Sequence, residues 1–216
     1  MSPRAPRTSP QLRRALRAAF AVAAIASAAC LASPLRAQQI AFDFDPQHTQ
    51  VDFALTGNVH DTHGTFALKR GNLILDSATG KASGQIVVDA ASGDSGNATR
   101  DRRMREEILE SDKFPEIVFT PDRVEGQIPQ QGEFQLNVHG LFRIHGADHD
   151  LLLPVHAKRD PSGIAASIEF SIPYVQWGMK NPSNFLLKVS DHVDISIHTT
   201  AIAAAAIPPT PSPSPH

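Results

Sequence analysis

Apolar and polar residues alternate along most of the chain. Val51, Phe53 and Leu55 fall on one face of an extended segment, as do Ile86, Val88 and Ala90. Phe134, Leu136 and Val138 repeat the pattern, followed by Leu151, Leu153 and Val155. The longest run is Ile164, Ala166, Ile168, Phe170 and Ile172; Val193, Ile195 and Ile197 close the series. A period of two puts alternate side chains on one side of a strand. Turn-forming clusters separate the runs: Asp76 to Gly80, Glu125-Gly126, Gln131-Gly132, His145-Gly146 and Asp160 to Gly163. With Thr65–Leu68, Asn72–Asp76 and Glu116–Val124 added, the pattern predicts eight or more strands, mostly in hairpins. Such antiparallel strands close into a barrel or stack as a sandwich, and the pattern fits both.

One segment breaks the alternation. In Asn97 to Thr120, Met104, Ile108 and Leu109 form a narrow apolar stripe on a charged helix. Asn97 or Thr99 can cap its start, and Asp101 suits the positive end of the helix dipole. Pro115 stops it, and Ile117-Val118-Phe119 opens the next strand. A lone amphipathic helix among antiparallel strands suits a lid over one end of an apolar interior.

The first 37 residues read as a leader. Arg4, Arg7, Arg13, Arg14 and Arg17 precede an alanine-rich apolar run, Ala18 to Leu31. Cleavage after Ala37 fits a secretory signal peptide, and the run is too short and weakly apolar for a good membrane span. Arg13-Arg14 leaves twin-arginine export open, although Leu12 and Ala15 favour general secretion. Cleavage removes Cys30, the only cysteine, and leaves fourteen basic against twenty-two acidic residues, a net charge of −8. An acidic, thiol-free product suits an oxidising compartment, with the periplasm as the expected location. It argues against nucleic acid and against docking on anionic lipid. Residues 38–206 suit one domain, and residues 207–216 a disordered proline-rich tail. Eleven Phe against one Trp and one Tyr can line an apolar tunnel or simply fill a core.

Several landmarks resemble a known family. Asp45-Pro-Gln-His48 is followed by Asn58-Val-His60-Asp-Thr-His63-Gly64-Thr-Phe66. Then come Arg100-Asp101-Arg102, Leu109-Glu110-Ser111 and Phe114-Pro115, and next His139-Gly140-Leu141 with Ile144-His145-Gly146. Trp177-Gly178-Met179-Lys180-Asn181-Pro182-Ser183 and Ser190-Asp191-His192-Val193 complete the set. Order and spacing resemble the YceI-like family of exported bacterial proteins over about residues 41–203. The resemblance implies an all-β fold with one amphipathic helix: an extended, eight-stranded, antiparallel, lipocalin-like barrel. It also implies a carrier or store for a long isoprenoid lipid or quinone, with no catalytic residue, cofactor or metal. Leu141-Phe142-Arg143-Ile144 departs from the family's Leu-Thr-Ile run, so the cavity there is expected to differ in shape. No stable membrane insertion is expected after cleavage, and a homodimer stays open.

On that footing, the expected lining comes from Phe53, Leu55, Phe66 and Leu75 in the first half of the domain, with Val88. Met104 and Leu109 join from the helix, and Phe119, Leu136, Val138, Phe170 and Ile195 from later strands. His60, Arg100, Asp101 and Trp177 are expected at the mouth, where Arg100 and Asp101 can instead pin the helix as an ion pair.

Other chemistries compete. Gly93-Asp94-Ser95-Gly96 has the look of a serine nucleophile loop, but a turn into a helix cap explains it equally. His60, His63 and Asp61 can begin a metal site for a hydrolase, although zinc needs a third or fourth ligand that the sequence does not identify. The remaining alternative is an interaction protein whose barrel is filled by its own side chains.

Overall fold

The computed structural model describes residues 39–207, with side chains through residue 200. The leader expected over residues 1–37 and the tail after Ile207 lie outside the described residues. β1 (Gln39–Leu55) is followed by β2 (Thr62–Phe66), β3 (Leu68–Asp76) and β4 (Ala82–Asp89). A 3-10 turn (Ala90–Ser92), helix α1 (Ala98–Arg103) and a π-helical turn (Met104–Ile108) come next. β5 (Glu116–Gly126), β6 (Gly132–Ile144), β7 (Ala147–Asp160), β8 (Gly163–Ile172) and β9 (Val193–Ile207) complete the chain.

From β3 to β9 each strand pairs antiparallel with the next, and β9 returns to pair with β1. The sheet therefore closes into a barrel, which decides between the two architectures the pattern allowed. Nine strands fill eight places. β3 pairs with the first part of β1, from Gln39 to Asp43, and β2 with its last part, from Val51 to Leu55. The break between them is Ala67, whose N–H donates to Ser92 Oγ at 2.8 Å instead of to a strand. The single strand expected over Thr65–Leu68 is thus divided between β2 and β3. Ala90, expected to continue β4, is the first residue of the 3-10 turn. β9 also runs one residue into the expected tail.

Irregularities follow local chemistry. Between Phe44 and Thr49 the pairing of β1 with β9 slips. Pro46, which has no N–H to give, sits in that slip. Asp45 closes the bulge by accepting from Gln47 N–H at 2.9 Å and pairing with His48 Nδ1 at 2.8 Å. The Asp45-to-His48 landmark is therefore a strand bulge. β7 keeps strict alternation, with Leu153 and Ala157 buried and Asp148, Asp150, Leu152 and Pro154 exposed.

The inward faces form one core cluster. Phe42, Leu73, Phe119, Val138, Leu153 and Ile164 belong to it, with Leu109 at the end of the π-helical turn. On the outer wall, His139 of β6 bridges two neighbours, with Nδ1 at 2.7 Å from Asp122 and Nε2 at 2.9 Å from Asp150. The Asp122 hydrogen bond, then that to Asp150, raises the His139 pKa above the ordinary histidine value.

Two outcomes test this account. At Gly64 an added Cβ would run into the Asp94 carbonyl oxygen and the Phe53 ring. Gly64→Ala is expected to lower stability by about 1–3 kcal/mol in denaturant unfolding. His139 has a raised folded pKa, so its contribution is complete below about pH 6.5, the unfolded value, and fades as pH rises through the folded value. His139→Gln is therefore expected to lower the melting temperature more at pH 6 than at pH 9, and the wild-type imidazole to titrate above the ordinary range by NMR.

Candidate binding site: the barrel lumen and its capped end

The chain order places connections of two kinds at opposite ends of the barrel. One end carries only short links, the β3–β4, β5–β6 and β7–β8 turns. The other gathers the β1–β2 loop, the helical segment, the β6–β7 turn and the long connection of residues 173–192.

The helical segment is fastened at both ends. Asn97 is the N-cap, its Oδ1 accepting from Thr99 N–H at 3.1 Å and Arg100 N–H at 3.0 Å. Arg100 and Asp101 then grip the preceding turn. Arg100 donates from Nε to Ser95 Oγ at 2.7 Å and from Nη2 to the Ser95 carbonyl at 2.9 Å, and its Nη1 reaches Thr62 Oγ1 at 3.5 Å. Asp101 accepts from Ser95 N–H at 2.9 Å and from the Ser95 hydroxyl. That hydroxyl contact, aided by Arg100, holds the Asp101 carboxyl below the usual aspartate range. The Gly93–Gly96 turn is thus a helix-cap structure, and Ser95 is committed to it. Arg100 and Asp101 meet through Ser95, not as a direct ion pair pinning the helix.

After Arg103 the helix widens. Leu109 N–H reaches the Met104 carbonyl at 2.9 Å across a π-helical turn. Met104 and Ile108 pack on the core cluster, and Leu109 is buried in it. The expected helix is therefore real, but its second half is π-wound. Glu110 follows with a φ of 46° and pairs with Lys113 and, at 2.9 Å, with His145 Nε2. The Lys113 contact first, and His145 second, lower the Glu110 pKa. Phe114 packs its ring 4.9 Å from His145, over Gly146, where a Cβ would strike it. The Leu-Glu-Ser and His-Gly landmarks, distant in sequence, are the two sides of this contact.

Residues 173–192 lie over the same end. Tyr174 and Met179 are buried anchors. The Tyr174 hydroxyl donates to the Ser190 carbonyl at 2.8 Å, and burial, with Asp191 nearby, pushes its pKa up to about 12. Lys180 Nζ meets Glu107 at 2.7 Å and ties the segment to the helix. The Asn58 amide and side chain bond both backbone groups of Lys188, at 2.9 Å each, and tie it to the β1–β2 loop. Trp177 stacks on His149, with Phe142 6.0 Å away.

The interior below is apolar. The buried core side chains keep a few per cent of exposure: Leu75 5%, Phe119 6%, Val138 7% and Phe142 8%. Among the described residues only Val87 falls below 2%, and it alternates away from Ile86 and Val88. Leu136, Val155, Ile168 and Phe170 pack on the core yet stay half-buried, although they point inward. A close-packed interior would bring inward residues in mid-strand near zero. An eight-stranded barrel has room inside for its own side chains or for one small ligand, and these inward residues keep part of their surface accessible. A concavity of about 740 Å³ crosses β2, β1, β9 and β8. Its lining combines outward residues such as Asp52, Glu169 and Asp194 with Phe53, Phe170 and Ile195.

The sequence-derived lining residues fall as follows. Phe53, Leu75, Leu109, Phe119 and Val138 are buried. Leu55, Phe66, Met104, Leu136, Phe170 and Ile195 are half-buried against the core. Val88 is half-buried at the register of Leu68 and Ile117. Of the mouth residues, Trp177 meets the core, Arg100 and Asp101 hold the helix start, and His60 is exposed in the β1–β2 loop. Asp61 accepts from Gly57 N–H at 3.1 Å. Among the described residues, no three His, Cys, Asp or Glu side chains are placed to hold a metal, so His60, His63 and Asp61 do not form such a site. Sequence reasoning missed Tyr174 and gave His149 no place in the lumen. The period of two that marked Leu151 and Leu153 extends back to His149 and could have found it.

Comparison with known proteins places these features in a family. The model of the YceI-like domain matches residues 42–201. A UPF0312 protein of Pseudomonas putida (strain W619) is 33% identical over 135 residues, 61% of this chain and 68% of that protein. A UPF0312 protein of strain GB-1 matches to the same extent, 33% over 135 residues. Among solved structures, BcnA of Burkholderia cenocepacia superposes with a TM-score of 0.59 at 17% identity, covering 73% of this chain and 98% of that one. A polyisoprenoid binding domain from Saccharophagus degradans, implicated in plant cell wall breakdown, gives 0.60 at 15% identity, covering 76% and 99%. At these identities the two structures share the fold.

The cap makes its own prediction. Arg100→Ala releases Ser95 and Thr62 together, and is expected to cost about 1–3 kcal/mol. Amide exchange should rise first between residues 94 and 101, with the strands beyond β2 little affected.

Proposed function

We propose, for a chain that belongs to the YceI-like family, a non-catalytic role: an exported carrier or store that holds one long isoprenoid-type chain, such as a quinone tail, inside its barrel. The observation that carries this reading is the run of inward, half-buried apolar residues from β6 to β8, Leu136, Val155, Ile168 and Phe170. The same fold in a protein described as a polyisoprenoid binding domain supports it. So does the leader read from residues 1–37, which would place the carrier in the periplasm.

The energetics are favourable without a charged anchor. Each buried methylene is worth about 0.8 kcal/mol, so an isoprene unit supplies about 3–4 kcal/mol gross. Ordering a flexible chain offsets part of this, which keeps binding reversible. A dry aliphatic and phenyl lining provides the affinity, and polar groups near one end select the headgroup. The cap, tied through Lys180–Glu107 and Glu110–His145, shields that end from water.

Protein expressed with its leader and purified from the periplasm is expected to release an isoprenoid-class lipid on organic extraction, identified by mass spectrometry at near-stoichiometric amounts. Ile168→Trp, which fills mid-lumen, should fold yet bind a prenylated quinone at least about tenfold more weakly. No extractable lipid together with no quinone binding by the wild type would overturn the proposal.

A further inference from the structure

His149 and Phe142 face each other across β7 and β6. Phe142 is a core residue, and directly paired residues share a face, so both side chains belong to the lumen side of the wall. The imidazole lies flat on Trp177, with ring centroids 3.9 Å apart and planes 9° from parallel. Among the described residues, His149 Nε2 is the side-chain nitrogen or oxygen that is shielded from water yet meets no hydrogen-bond partner. Folded proteins seldom leave such an atom unpaired, because desolvating it is unfavourable. Two other histidines of this hairpin are engaged, His145 by Glu110 and His139 by Asp122 and Asp150, while His156 is exposed on the outer wall.

We propose that His149 Nε2 is the headgroup anchor of the lumen, hydrogen-bonding a neutral carbonyl or hydroxyl oxygen at the end of the bound apolar chain. The proposal rests on the carrier reading above. An imidazole nitrogen can donate to a carbonyl or accept from a hydroxyl, depending on its tautomer. The surroundings select a neutral oxygen over a charged one. Trp177 and Phe142 are 6.0 Å apart, and Phe142 and Phe170 6.2 Å, so the walls here are rings. Nearby cations are already paired, Arg143 with Asp148 at 2.7 and 2.8 Å and Lys180 with Glu107 at 2.7 Å. A phosphate among these rings would be desolvated without a partner. A quinone-type ring meets both demands, since it carries the oxygen and presents a face to the aromatic groups. The ligand then lies with its headgroup under the cap and its tail toward the end with short turns.

Trp177 is the chain's only tryptophan, so its emission reports on occupancy beside His149. The test is a fluorescence titration of delipidated protein with a prenylated benzoquinone and, separately, with squalene, an isoprenoid hydrocarbon lacking oxygen. His149→Phe keeps an aromatic ring against Trp177 and removes the nitrogen. It is expected to weaken quinone binding about five- to tenfold and leave squalene binding unchanged. His149→Gln, which restores a hydrogen-bonding group, should recover part of the loss. His149→Leu takes the place of the Phe variant if melting shows that variant to be unfolded. Equal quinone affinity with and without the imidazole overturns the anchor and leaves the carrier reading standing. A parallel loss for both ligands assigns His149 to packing and also overturns the anchor. Binding of neither ligand by the wild type overturns the carrier reading and the anchor with it.

Discussion

Backbone pairing between β9 and β1 sets the width of the interior, and the rest of the molecule adapts to that width. Once the ring is closed, its circumference is fixed by hydrogen bonds between strands and not by the side chains inside. An eight-place barrel is then close to the size at which side chains just fill the centre. Here they are aliphatic and phenyl groups that leave mid-strand positions such as Leu136 and Ile168 half-exposed. Space left at an enclosed apolar face would be poor packing for the protein alone and good packing for an apolar guest.

Closing the ring leaves the question of its ends, and the polar network answers it at one of them. Ser95, Arg100 and Asp101 fix where the helix begins, Glu110 and His145 where it ends, and Lys180–Glu107 what lies across it. These are mostly exposed or half-exposed contacts, each worth little alone. Together they hold Met104, Ile108, Leu109 and Trp177 against the lumen. An amphipathic segment too short to be stable by itself is stable here because its apolar stripe has a cavity to cover.

The strands were legible because a period of two, carried by β-branched and aromatic residues, survives in any antiparallel sheet. Closure was not legible, because it depends on β1 pairing with β2 and β3 in turn on one side and with β9 on the other. No local pattern records that arrangement. The Asn97 cap could be read from the chain, whereas the π-wound turn after it could not, since it follows from seating Met104 and Leu109 over the barrel. Arg100 and Asp101 were recognisable as important. Their shared partner was hidden in a glycine-rich turn that resembled a nucleophile loop. The inward side of Phe53, Phe134 and Phe170 could be read from alternation. The stack of His149 on Trp177 joins a strand to a long connection and exists only in three dimensions.

Xenon enters dry apolar cavities and is visible by anomalous diffraction, so crystals of delipidated protein under xenon pressure test the hollow interior most directly. The account predicts ordered xenon between the inward faces of β6, β7 and β8, beside Leu136, Val155, Ile168 and Phe170. Side chains in mutual contact across that space, with no xenon among them, would contradict it.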